Sequence, residues 1–123
     1  MKIQISTATA DPWEARFNPE NPFSKETVRE FVERHRLPVV NGYIKLFHGT
    51  PTRGKWRTNL TELREGSFLA TNPTDAAFYA ARDRGIKTTS TRVHTVWLLP
   101  NELGYCGHYM TKCVVPLNRH ISE

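Results

Sequence analysis

Residues 24–36 repeat their apolar side chains with the spacing of an amphipathic helix. The side chains at i, i+3, i+4 and i+7 are those of Val28, Phe31, Val32 and His35. This spacing places them on one helical face. Ser24 is a suitable N-cap and Pro38 ends the pattern, so we expect a helix over residues 24–36. Residues 11–23 are rich in proline and asparagine and predict an irregular lead-in. Its candidate anchors onto the core are Trp13, Phe17 and Phe23.

The clearest helix signal in the chain begins at Asn72. Asn72 is the predicted N-cap, Pro73 suits the first helical position, and Asp75 stands three residues after the cap. The predicted buried stripe comprises Ala76, Tyr79 and Ala80. Gly85 follows two arginines and is a suitable C-terminal stop. The sequence therefore predicts a second helix from Pro73 to just before Gly85.

Between and after these helices the pattern changes to that of strands. Polar and apolar positions alternate from Tyr43 to His48, which places Ile44, Leu46 and His48 on one face. Residues 49–60 predict a polar, basic loop. The further predicted strands are Ser67–Ala70, Val93–Leu99 and Cys113–Leu117. The expected fold class is α+β, with short strands, two main helices and long loops.

Length and composition add limits to this fold. The chain has 123 residues, which predicts a single domain. No apolar run approaches the roughly 18 residues of a membrane helix, and the first residues lack a signal-peptide pattern, so we expect no membrane partner and a cytoplasmic location. Lysine and arginine outnumber aspartate and glutamate by 17 to 12, giving +5, which suits anionic partners. Cys106 and Cys113 are expected to be free thiols.

The segment His48-Gly49-Thr50 carries the first candidate chemistry. A histidine at a strand end, a glycine and a hydroxyl suit hydrogen bonding of a ligand hydroxyl with close backbone approach. A histidine at a strand edge before a turn is the alternative interpretation. Gly49 also begins a P-loop-like spacing to Gly54 and Lys55, but Trp56 stands where a hydroxyl should hold magnesium, which indicates coincidence.

Two further sets of residues are candidates for a metal site or for nucleotide contact. Cys106-Gly107-His108 and Cys113 lack the paired spacing of a zinc site, so we expect no metal. The loop containing Arg53, Lys55, Trp56 and Arg57 suits either contact with phosphates and a base, or a solvated loop with one anchoring tryptophan.

Taken together, three motifs resemble the ADP-ribosyltransferase superfamily, in particular its diphtheria-toxin-like and poly-ADP-ribose-polymerase branch. The motifs are His48-Gly49-Thr50, Gly66-Ser67-Phe68-Leu69-Ala70 and Ala77-Phe78-Tyr79, in the family's order and without gaps. Val93–Leu99 resembles the strand that follows. The resemblance implies a small split-sheet domain with its motif-bearing core at residues 43–117, after a lead-in and helix at residues 1–42.

The resemblance also implies a substrate, NAD, and a role for each matching residue. His48 would bond the adenosine ribose, Gly49 would present backbone groups to the nicotinamide amide, and Thr50 would help to hold the ribose. Phe68 and Tyr79 would sandwich the nicotinamide ring. The implied activity is that of a glycosyltransferase, which transfers ADP-ribose from NAD to a protein or nucleic-acid acceptor.

Two positions depart from the family pattern. Phe68 replaces the usual tyrosine, which keeps ring stacking but removes a phenolic hydrogen bond. Lys112, before Cys113-Val114-Val115-Pro116, aligns with the catalytic glutamate. Cleavage of the nicotinamide–ribose bond develops positive charge on the ribose. At an effective dielectric of about 20, two like charges ~4 Å apart repel by about 4 kcal/mol, or roughly three decades in rate.

Three interpretations of Lys112 remain open at this point. Either the motif misaligns the last strand, or another acid enters the site, the candidates being Glu65, Asp75 and Glu102. Alternatively, the protein is a catalytically degenerate module that binds NAD, ADP-ribose, a nucleotide end or a partner protein without cleaving NAD. An RNA-end-processing transferase of the same superfamily is a further alternative, compatible with the basic residues of the 53–57 loop.

Overall fold

A computed structural model describes residues 11–18, 21–52, 63, 67–106 and 110–113, and for residues 83, 104–106 and 110–113 it describes the backbone only. The described α-helices are α1 (Val28–Arg34) and α2 (Pro73–Arg84). The described strands are β1 (Val39–Val40), β2 (Tyr43–Pro51), β3 (Phe68–Leu69), β4 (Thr91–Leu98), β5 (Leu103–Cys106) and β6 (Met110–Cys113). Short 3-10 helices lie at Pro12–Glu14, Thr88–Ser90 and Pro100–Glu102. The α+β class predicted from the sequence is confirmed.

The six strands form two antiparallel three-stranded sheets. The first has the order β1-β2-β4, and the second has the order β3-β6-β5. Among the described residues a single bridge joins them, in which Phe47 and Ala70 exchange backbone hydrogen bonds of 3.0 and 2.8 Å. The two sheets therefore meet at the end of β3, beside His48.

The hydrophobic core lies on one face of the first sheet. Its sheet residues are Ile44, Leu46, Val96 and Leu98, all almost completely buried. Helix α1 covers them with Val28, Phe31 and Val32, and Phe17 stacks on Phe31. Of the other predicted anchors, Trp13 is half-buried against this cluster, whereas Phe23 is 93% exposed and the prediction for it is wrong.

Helix α1 begins later than the sequence predicts. Its N-cap is Thr27 rather than Ser24, and Thr27 forms a reciprocal capping box with Glu30. This box satisfies two backbone N–H groups at once, which Ser24 cannot do from its position in the preceding turn. The helix ends at Arg34, and the exposed His35 forms its C-cap.

Helix α2 follows the prediction closely. The Asn72 side chain accepts a hydrogen bond from the Asp75 backbone N–H, and Gly85 ends the helix in the left-handed region with φ of 63°. The residues that α2 buries are Ala76, Ala80 and Ala81. Tyr79, predicted in the buried stripe, is half-buried.

The strands differ from prediction at their ends. Strand β2 continues through Gly49 and Thr50 to Pro51, where a loop was expected, because the whole segment pairs with β4. At the C-terminal end, β5 and β6 form a hairpin in which Leu103 pairs with Cys113, so a strand beginning at Cys113 is wrong. Residues 114–117 of that predicted strand lie outside the described residues. In the described part of the chain, no helix has the length and apolar character needed to cross a membrane.

Candidate functional site

His48 lies near the end of β2, on the strand face that also carries Ile44 and Leu46. Its half-buried imidazole bonds through Nδ1 to the carbonyl oxygen of Phe68 at 2.7 Å. A carbonyl can only accept, so Nδ1 carries the proton. The other ring nitrogen, Nε2, is then an acceptor in the neutral ring. His48 thus connects the two sheets and presents a ring nitrogen of defined tautomer.

The surroundings of His48 keep the ring neutral. Burial lowers the pKa of His48 below its ordinary value, and electrostatic interactions with His94 and Arg84 lower it further. The hydrogen bond to Phe68 acts in the opposite direction and is outweighed. A neutral imidazole with Nδ1 already donating accepts a hydrogen bond from a ligand hydroxyl at Nε2.

Gly49 lies where β2 meets α2. A Cβ added at Gly49 would clash with the backbone oxygen of Ala76 and stand 2.8 Å from the Cβ of Ala80. The glycine therefore allows the helix to approach the strand closely. Gly49 thus has a packing role in the structure, whereas from the sequence we expected it to allow close approach of a ligand.

Thr50 is buried and its hydroxyl lies 2.8 Å from Nε2 of His94. His94 is also buried, at 2% exposure, and is the cross-strand partner of His48. Thr50 and His94 thus form a polar pair inside the fold directly next to His48. Sequence reasoning did not single out His94. The available signal was its alternation with Val96 and Leu98, which places its side chain in the buried phase of β4.

Phe68 is the first residue of β3, and its backbone and side chain have different roles. Its carbonyl fixes His48, while its side chain is 43% exposed. In the β3–β6 ladder, the Cα partner of Phe68 is Lys112. The backbone register therefore sets Lys112 opposite a residue that the resemblance assigns to the NAD site.

Tyr79 lies on α2, the helix that packs against Gly49 on the other face of β2 from His48. Its ring is half-buried and stands edge-on to Phe78, with ring centroids 5.5 Å apart and an interplanar angle of 72°. The structure thus brings His48, Phe68 and Thr50 together around β2, with Tyr79 on the helix behind that strand.

The other candidate acids have structural roles where they are described. Asp75 accepts a hydrogen bond from the Asn72 side chain at the start of α2. Glu102 is buried and accepts from the backbone N–H of Leu99 at 3.1 Å. Glu65 lies outside the described residues. So do Gly66, the basic loop at Arg53, Lys55, Trp56 and Arg57, the P-loop-like Gly54, and Gly107-His108.

Within the described ranges, no group of three histidine, cysteine, aspartate or glutamate side chains is arranged to hold a metal ion. Comparisons of the chain with protein-family models, with curated proteins and with solved structures find no match.

Proposed function

We propose that this protein is an NAD-binding protein of the ADP-ribosyltransferase type, with its site at the junction of β2 and β3. The observation that carries the proposal is the fixed, neutral imidazole of His48, bonded to the carbonyl of the half-exposed Phe68. One residue supplies an acceptor for a sugar hydroxyl and the other a flat apolar face for a ring. Both residues stand in motifs that resemble those of the family.

In this proposal His48 accepts a hydrogen bond from the adenosine ribose of NAD. Phe68 and Tyr79 contact the nicotinamide ring, and Gly49 offers its backbone to the nicotinamide amide. Thr50 acts on the ribose side of the site, although its hydroxyl is already held by His94. We therefore expect Thr50 to act mainly by holding β2 in place rather than by direct contact with NAD.

The activity that we propose is transfer of ADP-ribose from NAD to a protein or nucleic-acid acceptor. The bond between nicotinamide and ribose breaks, nicotinamide leaves, and the ribose carbon bonds to the acceptor. NAD is a substrate in this reaction. We also propose a cytoplasmic location, where the protein would have access to NAD.

A second candidate function is binding of NAD, ADP-ribose or a nucleotide end without cleavage. The observation that favours it is the register that sets Lys112 opposite Phe68. An ammonium group opposes positive charge on the ribose, but it pairs well with a phosphate. The alignment of Lys112 with the family's glutamate rests on the motif and is consistent with this register.

Calorimetric titration with NAD, followed by an assay of nicotinamide release, tests both candidates. Binding with release supports transfer, and binding without release supports the second candidate. Loss of one hydrogen bond in His48→Ala should weaken NAD binding about 2- to 10-fold. His35→Ala is the matched control, because His35 is exposed and lies on α1. Absence of binding to both NAD and ADP-ribose would contradict the proposed site.

A further inference from the structure

Arg84 lies on the side of α2 that packs against β2. Ala80, one turn earlier on the helix, stands 2.8 Å from a Cβ added at Gly49, the residue that follows His48. Residues four apart on a helix share one side of it. The Arg84 guanidinium also turns back along this side, where Nη1 donates to the carbonyl oxygen of Ala80 at 3.5 Å. Arg84 is therefore a cation of α2 that is directed towards the strand carrying His48.

The main chain of Arg84 is fixed by the way in which α2 ends. Gly85 adopts the left-handed conformation with φ of 63°, and its N–H bonds to the carbonyl oxygen of Arg82 at 3.3 Å. The N–H of Ile86 bonds to the carbonyl oxygen of Ala81 at 3.0 Å. These two bonds form a Schellman motif, which closes the helix in a defined conformation. The exposed side chain of Arg84 thus projects from a fixed backbone position.

The charge of Arg84 is not neutralised by a described carboxylate. A guanidinium has five N–H donors, and among the described residues that of Arg84 makes only the long bond to Ala80. The two ion pairs between described side chains lie in and before α1. The positive charge of Arg84 acts instead on His48, whose pKa it helps to lower. A hydrogen-bond acceptor and a positive charge therefore lie within electrostatic reach of each other.

The edge of β2 beside Gly49 connects the two groups. His48 and α2 lie on opposite faces of β2, so a ligand that contacts both His48 and Arg84 must pass an edge of this strand. Strand β4 pairs with one edge along the whole of β2. On the other edge, the bridge of Phe47 to Ala70 is the last pairing towards Gly49 among the described residues. No described strand therefore closes the path along that edge from His48 to Arg84.

We propose that Arg84 binds a phosphate of a nucleotide whose ribose is hydrogen-bonded to Nε2 of His48, and that this phosphate decides which ligands the site accepts. A nucleoside 5′-phosphate carries both matching groups on one ribose, a hydroxyl for the imidazole and an anion for the guanidinium. Arginine suits the anion, because its planar fork bonds two phosphate oxygens at once. The ligand class is that of nucleoside 5′-phosphates and diphosphates, which includes the ADP part of NAD. That the ribose lies at His48 rests on the proposed function, whereas the phosphate contact does not require NAD to be cleaved.

Arg82 supplies a matched control at the same end of α2. It is exposed, carries the same charge and lies two residues before Arg84. With about 3.6 residues per turn, the two side chains leave the helix roughly 160° apart. Both arginines can stabilise the negative C-terminal end of the helix dipole. A difference between them in ligand binding therefore reports the phosphate contact rather than net charge or helix stability.

NMR titration of the isotope-labelled protein with ADP and with adenosine tests the proposal. The parent should bind ADP at least about 10-fold more tightly than adenosine, which lacks the phosphates. Arg84→Gln should weaken ADP binding about 3- to 30-fold, because a charge-assisted contact at an exposed side chain is lost. Its affinity for adenosine should stay within about twofold of the parent, and Arg84→Lys should recover part of the ADP affinity. In the parent, the Nε–H resonance of Arg84 should shift on addition of ADP and not on addition of adenosine.

Arg82→Gln should leave the affinities for ADP and adenosine within about twofold of the parent. Equal losses of ADP binding in Arg82→Gln and Arg84→Gln would overturn the proposal in favour of general charge attraction. Equal losses of ADP and adenosine binding in Arg84→Gln would overturn it in favour of a structural role. Absence of ADP binding, or equal affinity of the parent for ADP and adenosine, would also overturn it.

Titration of the same variants with NAD separates the phosphate contact from the proposed function. If ADP binding depends on Arg84 but NAD does not bind, the phosphate contact stands and the NAD-dependent function is wrong. If NAD binds and releases nicotinamide, and Arg84→Gln binds NAD as tightly as the parent, the role of Arg84 is wrong and the proposed function stands.

Discussion

The contact between Gly49 and α2 makes Gly49→Ala the sharpest test of what this glycine does. In the structure, the added methyl group would clash with the backbone oxygen of Ala76 and stand 2.8 Å from the Cβ of Ala80. The first obstacle is main chain inside a helix, so no side-chain rotation relieves it. The helix must move away from β2, or the strand must bend.

The expected loss of stability follows from this geometry. Forcing an extra methyl group into a packed interior costs about 1–3 kcal/mol. At about 2.1 cal/mol/K of unfolding entropy per residue, a chain of 123 residues should lose about 4–12 °C in Tm. Ala80→Gly should not restore the stability of Gly49→Ala, because it leaves the clash with the Ala76 oxygen in place.

Thermal and urea unfolding followed by circular dichroism measure this effect. Gly85→Asn is the control, because nothing lies within 4 Å of a Cβ at Gly85 and asparagine tolerates its left-handed conformation. The larger side chain at Gly85 should cost less than the single methyl group at Gly49. If Gly49→Ala keeps the parent stability and instead loses NAD binding, then the packing argument is wrong and the glycine serves a ligand.

Three further predictions concern the site and its support. Below about pH 6.5, the free energy of unfolding of the parent protein should fall more steeply with falling pH than that of His48→Asn. The pKa of His48 is lowered in the folded protein, so the unfolded state binds a proton that the folded state does not. Equal pH profiles in urea unfolding would contradict this. Thr50→Val should cost about 1–3 kcal/mol by removing the hydroxyl that bonds His94, and Thr50→Ser should recover most of it; similar losses in both variants would point to packing instead. Asn72→Ala should cost about 0.5–2 kcal/mol through loss of the α2 cap, with Asn72→Ser closer to the parent, and a stable alanine variant would show that the cap is dispensable.

The parts of the fold that the sequence predicted are those with local causes. Each of Asn72, Pro73 and Gly85 acts on backbone within one helical turn of its own position. The bounds of α2 could therefore be predicted from the local sequence. The start of α1 was misjudged because two capping residues compete there. Glu30 stands three residues after Thr27 and completes a capping box with it, so the helix begins after Thr27 rather than after Ser24.

The errors in the strands have a different cause. Gly49 and Pro51 carry no strand signal of their own, and they are extended because Val93 and Thr91 pair with them from β4. Likewise, β5 and β6 depend on their pairing with each other rather than on alternation within either strand. The β2–β4 pairing joins residues far apart in the chain, and a single sequence displays neither this pairing nor that of β5 with β6.

The structure divides the His48-Gly49-Thr50 motif into residues that support the site and a residue that can contact a ligand. Gly49 admits the helix, and Thr50 is tied to His94 inside the fold. Nδ1 of His48 is engaged by Phe68, so Nε2 is the ring position left for a ligand among the contacts of the described residues. Loss of binding in Gly49 or Thr50 variants would thus follow from a displaced strand as readily as from a lost contact. Substitutions at His48 and at the half-exposed ring of Phe68 are the ones that report on NAD itself.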